Sequence, residues 1–178
     1  MHRRTLLKGT ALIGLGALAG TSYWLARPLQ APSDLSLEGA LSLLDSLEGQ
    51  ALLSAEGFSP AETFNHCAQS IEYSLQGYPE LKPAWFRQTV GPAALALFQW
   101  RGAMHHPLDE PIPGAQALNE PADVAQALAR LRAAFTQFAA FSAPLAPHFA
   151  YGQLTHEQYA RAHVMHLYNH MSLIRRAT

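Results

Sequence analysis

Cysteine is nearly absent from this chain, since Cys67 is the single cysteine among 178 residues. One cysteine cannot form an intramolecular disulfide, and it cannot build the cysteine clusters that hold structural zinc. Any metal site must therefore use histidine and perhaps carboxylate ligands. The hydrophobic content of 49% is sufficient for the core of one ordinary globular domain.

Positive charge is scarce outside the first residues. Residues 1–27 contain four of the 12 Lys and Arg residues and none of the 13 Asp and Glu residues. The remaining chain therefore carries a net charge of −5 with histidine neutral. That balance has the wrong sign for a nucleic-acid partner, so we expect none.

The sequence also lacks the alternating pattern of strands, short hairpin turns, internal repeats and Gly-rich phosphate loops. Apolar residues recur instead at helical spacing. We therefore predict an all-α fold, a four-helix bundle over residues 35–178. Its first helix begins near Ser36, and its second begins at Ser59-Pro60, where Glu62 is placed to complete a capping box.

Two more segments have helical character. Residues 82–101 are predicted to form a third helix with a kink at Gly91-Pro92, where proline removes a backbone donor. A fourth helix is predicted to begin near Asn119 to Pro121.

The connection between those two helices, residues 102–120, is long and rich in proline. It contains the adjacent pair His105-His106. We interpret this pair as a solvated loop feature rather than a ligand pair, although loops do carry functional residues.

Residues 1–27 differ from the rest of the chain. Arg3-Arg4-Thr-Leu-Leu-Lys8 is basic, and residues 10–26 contain no charge, which indicates an export leader or a single short membrane-anchor helix. The basic segment resembles the twin-arginine signal of bacteria. That resemblance implies a periplasmic location, or an inner-membrane anchor facing the periplasm if the leader is not cleaved. Residues 28–34 are predicted to form a proline-bearing tether.

The last predicted helix, Thr155 to Arg176, carries most of the chemistry. Thr155 can cap its first turn together with Gln158. At about 100° per residue, one arc of about 100° collects six side chains: Tyr159, His163, His166, His170, Leu173 and Ile174. The histidines are therefore predicted to face the core.

His166 and His170 have the spacing at which a helical His-x-x-x-His provides two metal ligands. The alternative is a pair of core histidines bonded to carbonyl groups or water. On the second predicted helix, a polar stripe lies between apolar faces and comprises Glu62, His66, Gln69, Ser70 and Tyr73. This stripe either lines a cavity or is the solvent side of a surface helix.

Two stretches resemble a known family. They are Phe64-Asn-His-Cys-Ala-Gln-Ser-Ile-Glu-Tyr-Ser-Leu-Gln-Gly-Tyr-Pro79, and His148-Phe-Ala-Tyr-Gly-Gln-Leu-Thr155 leading into His163, His166 and His170. They resemble the DinB/YfiT-like helical bundles and, more narrowly, the branch called domain of unknown function 1569. The resemblance covers about residues 35–175 and implies that His66, His166 and His170 bind a divalent metal.

The chain departs from that pattern at two places. Met171-Ser172-Leu173 stands where many members of the superfamily have Arg-Gly-Gln, and Asn169 stands where a second adjacent histidine is common. These departures weaken the expectation of thiol-transferase chemistry but not that of the metal site.

Three neutral imidazoles leave coordination positions for water or substrate, and they suit zinc or nickel best. The first hypothesis is an exported metal-dependent enzyme with an unknown small-molecule substrate, either a hydrolase or thiol-transferase-like. Gln69, Ser70 and Tyr73 are candidates to orient the substrate, and His163 is a candidate to support a ligand or transfer protons. Core packing explains each of these four residues equally well.

The second hypothesis is a non-enzymatic bundle that binds a metal or a small ligand, with a haem carrier as a variant. A membrane is expected as a partner only through an uncleaved leader. The sequence leaves the substrate and the oligomeric state open, with a homodimer as one option.

Overall fold

The computed structural model describes residues 34–118 and 123–177 of the chain. They belong to one unit, Ala31–Thr178. The predicted leader, residues 1–27, lies outside the described residues, and so does the predicted tether apart from Asp34.

The described part of the chain is mostly helical. The elements in chain order are α1 (Leu37–Ser46), β1 (Leu52–Ser54), α2 (Pro60–Gln76), α3 (Ala84–Gln88), α4 (Val90–Arg101), α5 (Val124–Ala140), α6 (His156–Met171) and β2 (Ile174–Arg176). None of the helices described is long and apolar enough to cross a membrane.

The helix starts lie where the capping residues predict them. Ser36 caps α1. Ser59 and Glu62 form a reciprocal capping box at α2, with backbone-to-side-chain distances of 2.8 and 3.2 Å. Thr155 and Gln158 do the same at α6, at 2.9 and 3.1 Å. These side chains satisfy amide groups that have no partner within the helix, so the local sequence fixes the start of each helix.

The prediction of an all-α fold is wrong in one respect, because the chain contains a small antiparallel sheet. Strand β1 pairs with β2, and Leu52 is opposite Arg176. The last helix was predicted to reach Arg176, but it ends at Met171, and Leu173 and Ile174 leave the histidine stripe. Three-residue strands are too short to show alternation in sequence, and their stability comes from pairing with a distant segment.

The predicted kink at Gly91-Pro92 is also misplaced. The chain breaks at Thr89, whose φ of −131° and ψ of −79° are not helical, and this residue separates α3 from α4. Pro92 lies in the first turn of α4, where a missing amide donor costs little because those amides have no partner within the helix. Gly91 is required for another reason: an added Cβ would lie 1.9 Å from the carbonyl oxygen of Ala150.

Helix α5 begins at Val124 and is capped by Asp123, whose side chain accepts from two backbone amides at 2.7 and 3.1 Å. The predicted start, Asn119 to Pro121, lies outside the described residues.

The core lies among α1, α2, α5 and α6. Helix α2 contacts both α5 and α6, and α1 contacts the same two helices. Fully buried side chains fill the space between them, including Leu44, Phe64, Leu131, Phe135 and Tyr159. This packing holds α2 and α6 side by side, and both carry histidines on the facing sides.

Candidate metal centre

The polar stripe of α2 faces the interior. His66, Gln69 and Ser70 are buried, while Glu62 and Tyr73 are partly exposed. The stripe therefore lines the inside of the domain at its centre and reaches solvent at its two ends. Of the two alternatives for this stripe, the solvent side of a surface helix is excluded.

His66, His166 and His170 come together as a buried group. The Nε2 atom of His166 lies 3.2 Å from Nε2 of His66 and 3.1 Å from Nε2 of His170. The ligand atoms of the three residues all lie within 4.8 Å of one another. Tetrahedral ligands at about 2.0–2.1 Å from one ion are about 3.3 Å apart, so the two short separations have the scale that a shared ion requires.

The three side chains are between 2% and 9% exposed, and burial controls their protonation. Loss of solvation, together with a smaller effect of neighbouring histidines, lowers the pKa of His66 to about 4 and that of His170 to about 2. The pKa of His166 is also held well below its usual value by burial. All three rings are therefore neutral at pH 7, which is the form that binds metal ions.

The interpretation of His105-His106 as a solvated loop pair is wrong for His106. His105 is exposed, but the ring of His106 lies inside, with its centroid 5.0 Å from that of His166 and 5.2 Å from that of His170. Its Nδ1 lies 2.6 Å from the carbonyl oxygen of Pro107. Nothing in the local sequence distinguishes the two adjacent histidines, because only the path of the loop decides which one faces the cluster.

His163 bonds to α2. Ser74 Oγ donates to the carbonyl oxygen of Ile71 at 2.6 Å, so its oxygen is left to accept from His163 Nε2 at 3.2 Å. Burial lowers the pKa of His163 to about 3, which keeps the ring neutral. This bond satisfies a buried histidine and connects α6 to α2, one turn before His166.

The remaining candidate residues differ in position. The side chain of Gln69 donates to the carbonyl oxygen of Gln116 at 3.0 Å and so ties the 102–118 loop to α2. Ser70 lines a cavity beside the cluster. Tyr73 does not line that cavity, and its ring packs 5.8 Å from the ring of Tyr78.

The cavity has a volume of about 240 Å³. It is lined by His66, Ser70, Lys82, Met104, His106, Glu110, Pro111, Ile112, Pro113, His148, Phe149, Ala150, Tyr151, Ala162, His163 and His166. The lining contains five histidines and many apolar side chains, and Lys82 and Glu110 add one charge of each sign.

His148 is a cavity residue that sequence reasoning did not single out. Its Nδ1 accepts from the backbone amides of Ala150 and Tyr151, both at 3.1 Å, so its proton is on Nε2. The ring stacks on Tyr151 with 4.2 Å between centroids. His148 belongs to the stretch His148 to Thr155, which carries the family resemblance. That resemblance is the signal in the sequence that points to His148 as a site residue.

Comparison with known proteins identifies a family. A sequence model described as "Protein of unknown function (DUF1569)" matches residues 31–177. No curated protein and no solved structure matches the chain. The match extends over most of the sequence and includes α2, the 102–118 loop and α6, from which the histidine group is built. The chain therefore belongs to the DUF1569 family of proteins of unknown function.

Proposed function

We propose that this protein is a metal-dependent enzyme in which His66, His166 and His170 hold one divalent ion, zinc or nickel, beside a small-molecule cavity. The observation that carries the proposal is the convergence of three buried, neutral imidazole nitrogens beside that cavity, which His66 and His166 line.

Hydrogen bonding alone does not account for this convergence. His166 Nε2 carries either one proton or one lone pair, so it can make one ordinary hydrogen bond in the ring plane. It nevertheless has two close nitrogen neighbours, at 3.1 and 3.2 Å. At most one of these contacts can be an ordinary hydrogen bond in the ring plane, and a shared cation would account for both. The donor set therefore fits a metal ion, and imidazole suits zinc and nickel in particular.

A divalent ion held by three histidines supplies Lewis-acid chemistry, because it polarises a substrate donor group and lowers the pKa of water. The residues of the chain form the cavity that would hold the substrate beside the ion. Its cavity, at about 240 Å³, is below the roughly 300–1,000 Å³ of pockets that bind drug-sized ligands, so the substrate is a small molecule. Met104 and Ile112 offer an apolar wall, and Lys82 offers a cation for an acidic substrate group.

The reaction class within this proposal is hydrolysis or thiol transfer. Gln69 acts indirectly, by holding the loop that forms one cavity wall, and His163 acts by fixing α6 against α2. Ser70 and His163 both line the cavity, so both can contact the substrate.

The proposal includes a DinB/YfiT-like four-helix bundle and export to the periplasm. The mutual packing of α1, α2, α5 and α6 supports the bundle. The composition of residues 1–27 supports export, with membrane attachment if the leader is kept.

The second candidate function is a non-enzymatic bundle that binds a metal for stability or carries a small ligand. The depth of burial of the three histidines favours it. Haem is disfavoured as that ligand, because ring centroids 4.7 to 5.0 Å apart leave no space for a macrocycle between the rings.

The test uses the full chain, purified with and without a chelator and then loaded with zinc or nickel. We expect one ion per chain by elemental analysis, and turnover of a small ester, amide or thiol substrate that requires the ion. Stoichiometric metal without turnover across such a panel would favour the non-enzymatic function. Recovery of metal-free protein after loading would refute the enzyme and the metal-binding form of the second candidate, and would leave only a carrier of a small ligand.

A further inference from the structure

We propose that His106 is a fourth, displaceable ligand of this centre, supplied by the loop between α4 and α5. This inference rests on the proposed metal site. It goes beyond that site, because a centre with only three histidine ligands gives His106 no role.

The first support is the tautomer of His106. Its Nδ1 lies 2.6 Å from the carbonyl oxygen of Pro107, and a carbonyl can only accept, so Nδ1 carries the proton. The Nε2 atom therefore presents a lone pair. Metal-binding histidines commonly donate their other ring N–H to a backbone carbonyl or a carboxylate, which fixes the ring and makes the ligand more basic. His106 already has that arrangement.

The second support is that His106 Nε2 is buried and finds no hydrogen-bond partner among residues 34–118 and 123–177. A buried acceptor without a partner costs about 1–3 kcal/mol, so such an atom needs an explanation. His66 Nδ1 is in the same condition within the described chain. One of the two unsatisfied imidazole atoms therefore belongs to a proposed ligand, and the other belongs to a ring next to the proposed ligands.

The third support is position. The centroid of the His106 ring lies 5.0 Å from that of His166 and 5.2 Å from that of His170. Among the three core ligands, the corresponding separations are 4.7 to 5.0 Å. His106 therefore stands at nearly the same spacing as the proposed ligands, although it is outside the group whose nitrogens all lie within 4.8 Å of one another. A short approach of the loop towards the cluster would complete a set of four.

The loop can make such an approach. It is anchored on one side of His106 by the buried side chains of Ala103 and Met104, and on the other by buried Ile112 and the bond from Gln69 to Gln116. Between these anchors, residues 107–111 are largely exposed and have little packing to lose. Asn169 on α6 also reaches the carbonyl oxygen of His106 at 3.5 Å, which keeps this segment beside the ligand helix.

The consequence is that the protein itself would fill the coordination position that a substrate needs. With four imidazoles the centre has the full ligand count of a structural zinc site, and a substrate must displace His106 to reach the ion. A small molecule with an anionic donor, such as a thiolate, is the chemical class that competes best with an imidazole for such an ion. The cavity next to His106 provides the space for it.

The experiment compares the full-length protein with three single variants: H106A, H106F and H105A. H106F keeps a ring of similar size but has no nitrogen ligand, and H105A changes the exposed neighbour. Zinc affinity is measured by competition with a chromophoric chelator. The cobalt(II)-loaded proteins are examined by visible absorption, with and without added imidazole and azide. Circular dichroism of the metal-free proteins monitors folding.

We expect both His106 variants to bind zinc at least about tenfold more weakly than wild type, the lower end of the effect known even for groups that only support a ligand. Their cobalt spectra should change, and added imidazole should restore the spectrum of H106A. Azide should bind more tightly to H106A than to wild type. H105A should behave as wild type.

Unchanged zinc affinity and cobalt spectra in H106A and H106F would overturn the inference, as would weaker affinity with an unchanged spectrum. H166A distinguishes this failure from failure of the metal site itself. If H166A abolishes binding while the His106 variants match wild type, only the fourth ligand is refuted. If H166A also matches wild type, the proposed function is refuted.

Discussion

The Nε2 atoms of His66 and His166 lie 3.2 Å apart, although one hundred residues separate them along the chain. Helix α2 supplies the first and helix α6 the second, and a well-packed core holds the two helices together. His170, one turn after His166, completes the group. One hydrogen bond can join two of these neutral imidazoles, but it does not account for three that converge, and the first prediction follows from the proposal that they share an ion.

Metal should stabilise the protein against heat through His166. An ion present at about one hundred times its Kd adds about 2.7 kcal/mol to the free energy of unfolding. For a domain of this size we therefore expect zinc to raise the Tm of wild type by roughly 5–10 °C. In H166A the rise should vanish, which differential scanning calorimetry can measure.

The matched control for that variant is H156A, on the same helix. His156 bonds to the carbonyl oxygen of Phe138 at 3.0 Å, away from the cluster. H156A should keep the zinc-dependent rise in Tm. An equal loss of the rise in both variants would show that the effect does not come from coordination at His166.

Ser74 should stabilise the domain through His163. S74A removes the acceptor of a buried imidazole N–H, so we expect the free energy of unfolding to fall by about 1–3 kcal/mol. Urea denaturation of the metal-free protein measures this change. S46A is the control, because Ser46 Oγ makes the same bond to the carbonyl three residues earlier, at 2.7 Å, but on the surface. Similar losses in both variants would contradict the role of the His163 bond.

Metal-free protein should lose stability as the pH falls from 7 to 5. Burial lowers the pKa of His163 to about 3 and that of His148 well below its ordinary value. In the unfolded chain these histidines take up protons near pH 6.5, so below that pH the unfolded state binds more protons and gains relative stability. The contribution of each buried neutral histidine to the free energy of unfolding is therefore complete above pH 6.5. It declines as the pH falls from there towards the pKa of that histidine in the folded state.

The expected loss is up to about 2 kcal/mol per buried histidine between pH 6.5 and pH 5. Urea denaturation at both pH values measures it. H163Q should have a smaller difference between the two pH values than wild type, whatever its absolute stability. A wild-type protein that is equally stable at both would contradict the assignment of neutral buried rings.

Gly91 should be intolerant of any side chain. The G91A substitution would place a Cβ 1.9 Å from the carbonyl oxygen of Ala150, and the backbone of Ala150 and Tyr151 leaves it no room. We expect a loss of more than about 2 kcal/mol in the free energy of unfolding, in the range of overpacked sites. Chemical denaturation provides the measurement.

A93G is the comparison, since Ala93 is an exposed residue in the same turn of α4. That change should cost about 1 kcal/mol, from helix propensity alone. Propensity favours G91A and opposes A93G, so a greater loss in G91A must come from the contact with Ala150. The reverse order would contradict the close approach of α4 to that loop.

The local sequence determined the parts of the fold that local forces decide. Ser36, Ser59 and Thr155 start their helices because each side chain satisfies amides within its own first turn. The His166 and His170 pair also follows from local geometry, since four residues along a helix return to the same face. The resemblance to DUF1569 likewise came from the sequence, and the family match over residues 31–177 confirms it.

The tertiary structure alone decided the rest. Strand β2 replaces the end of the last predicted helix because its hydrogen-bond partner is β1, more than a hundred residues away. His106 faces the cluster while adjacent His105 faces outwards, although the two residues are chemically identical. Periodicity and capping report interactions within a few residues, whereas the positions of a loop histidine and a paired strand depend on packing between segments that the chain brings together only on folding.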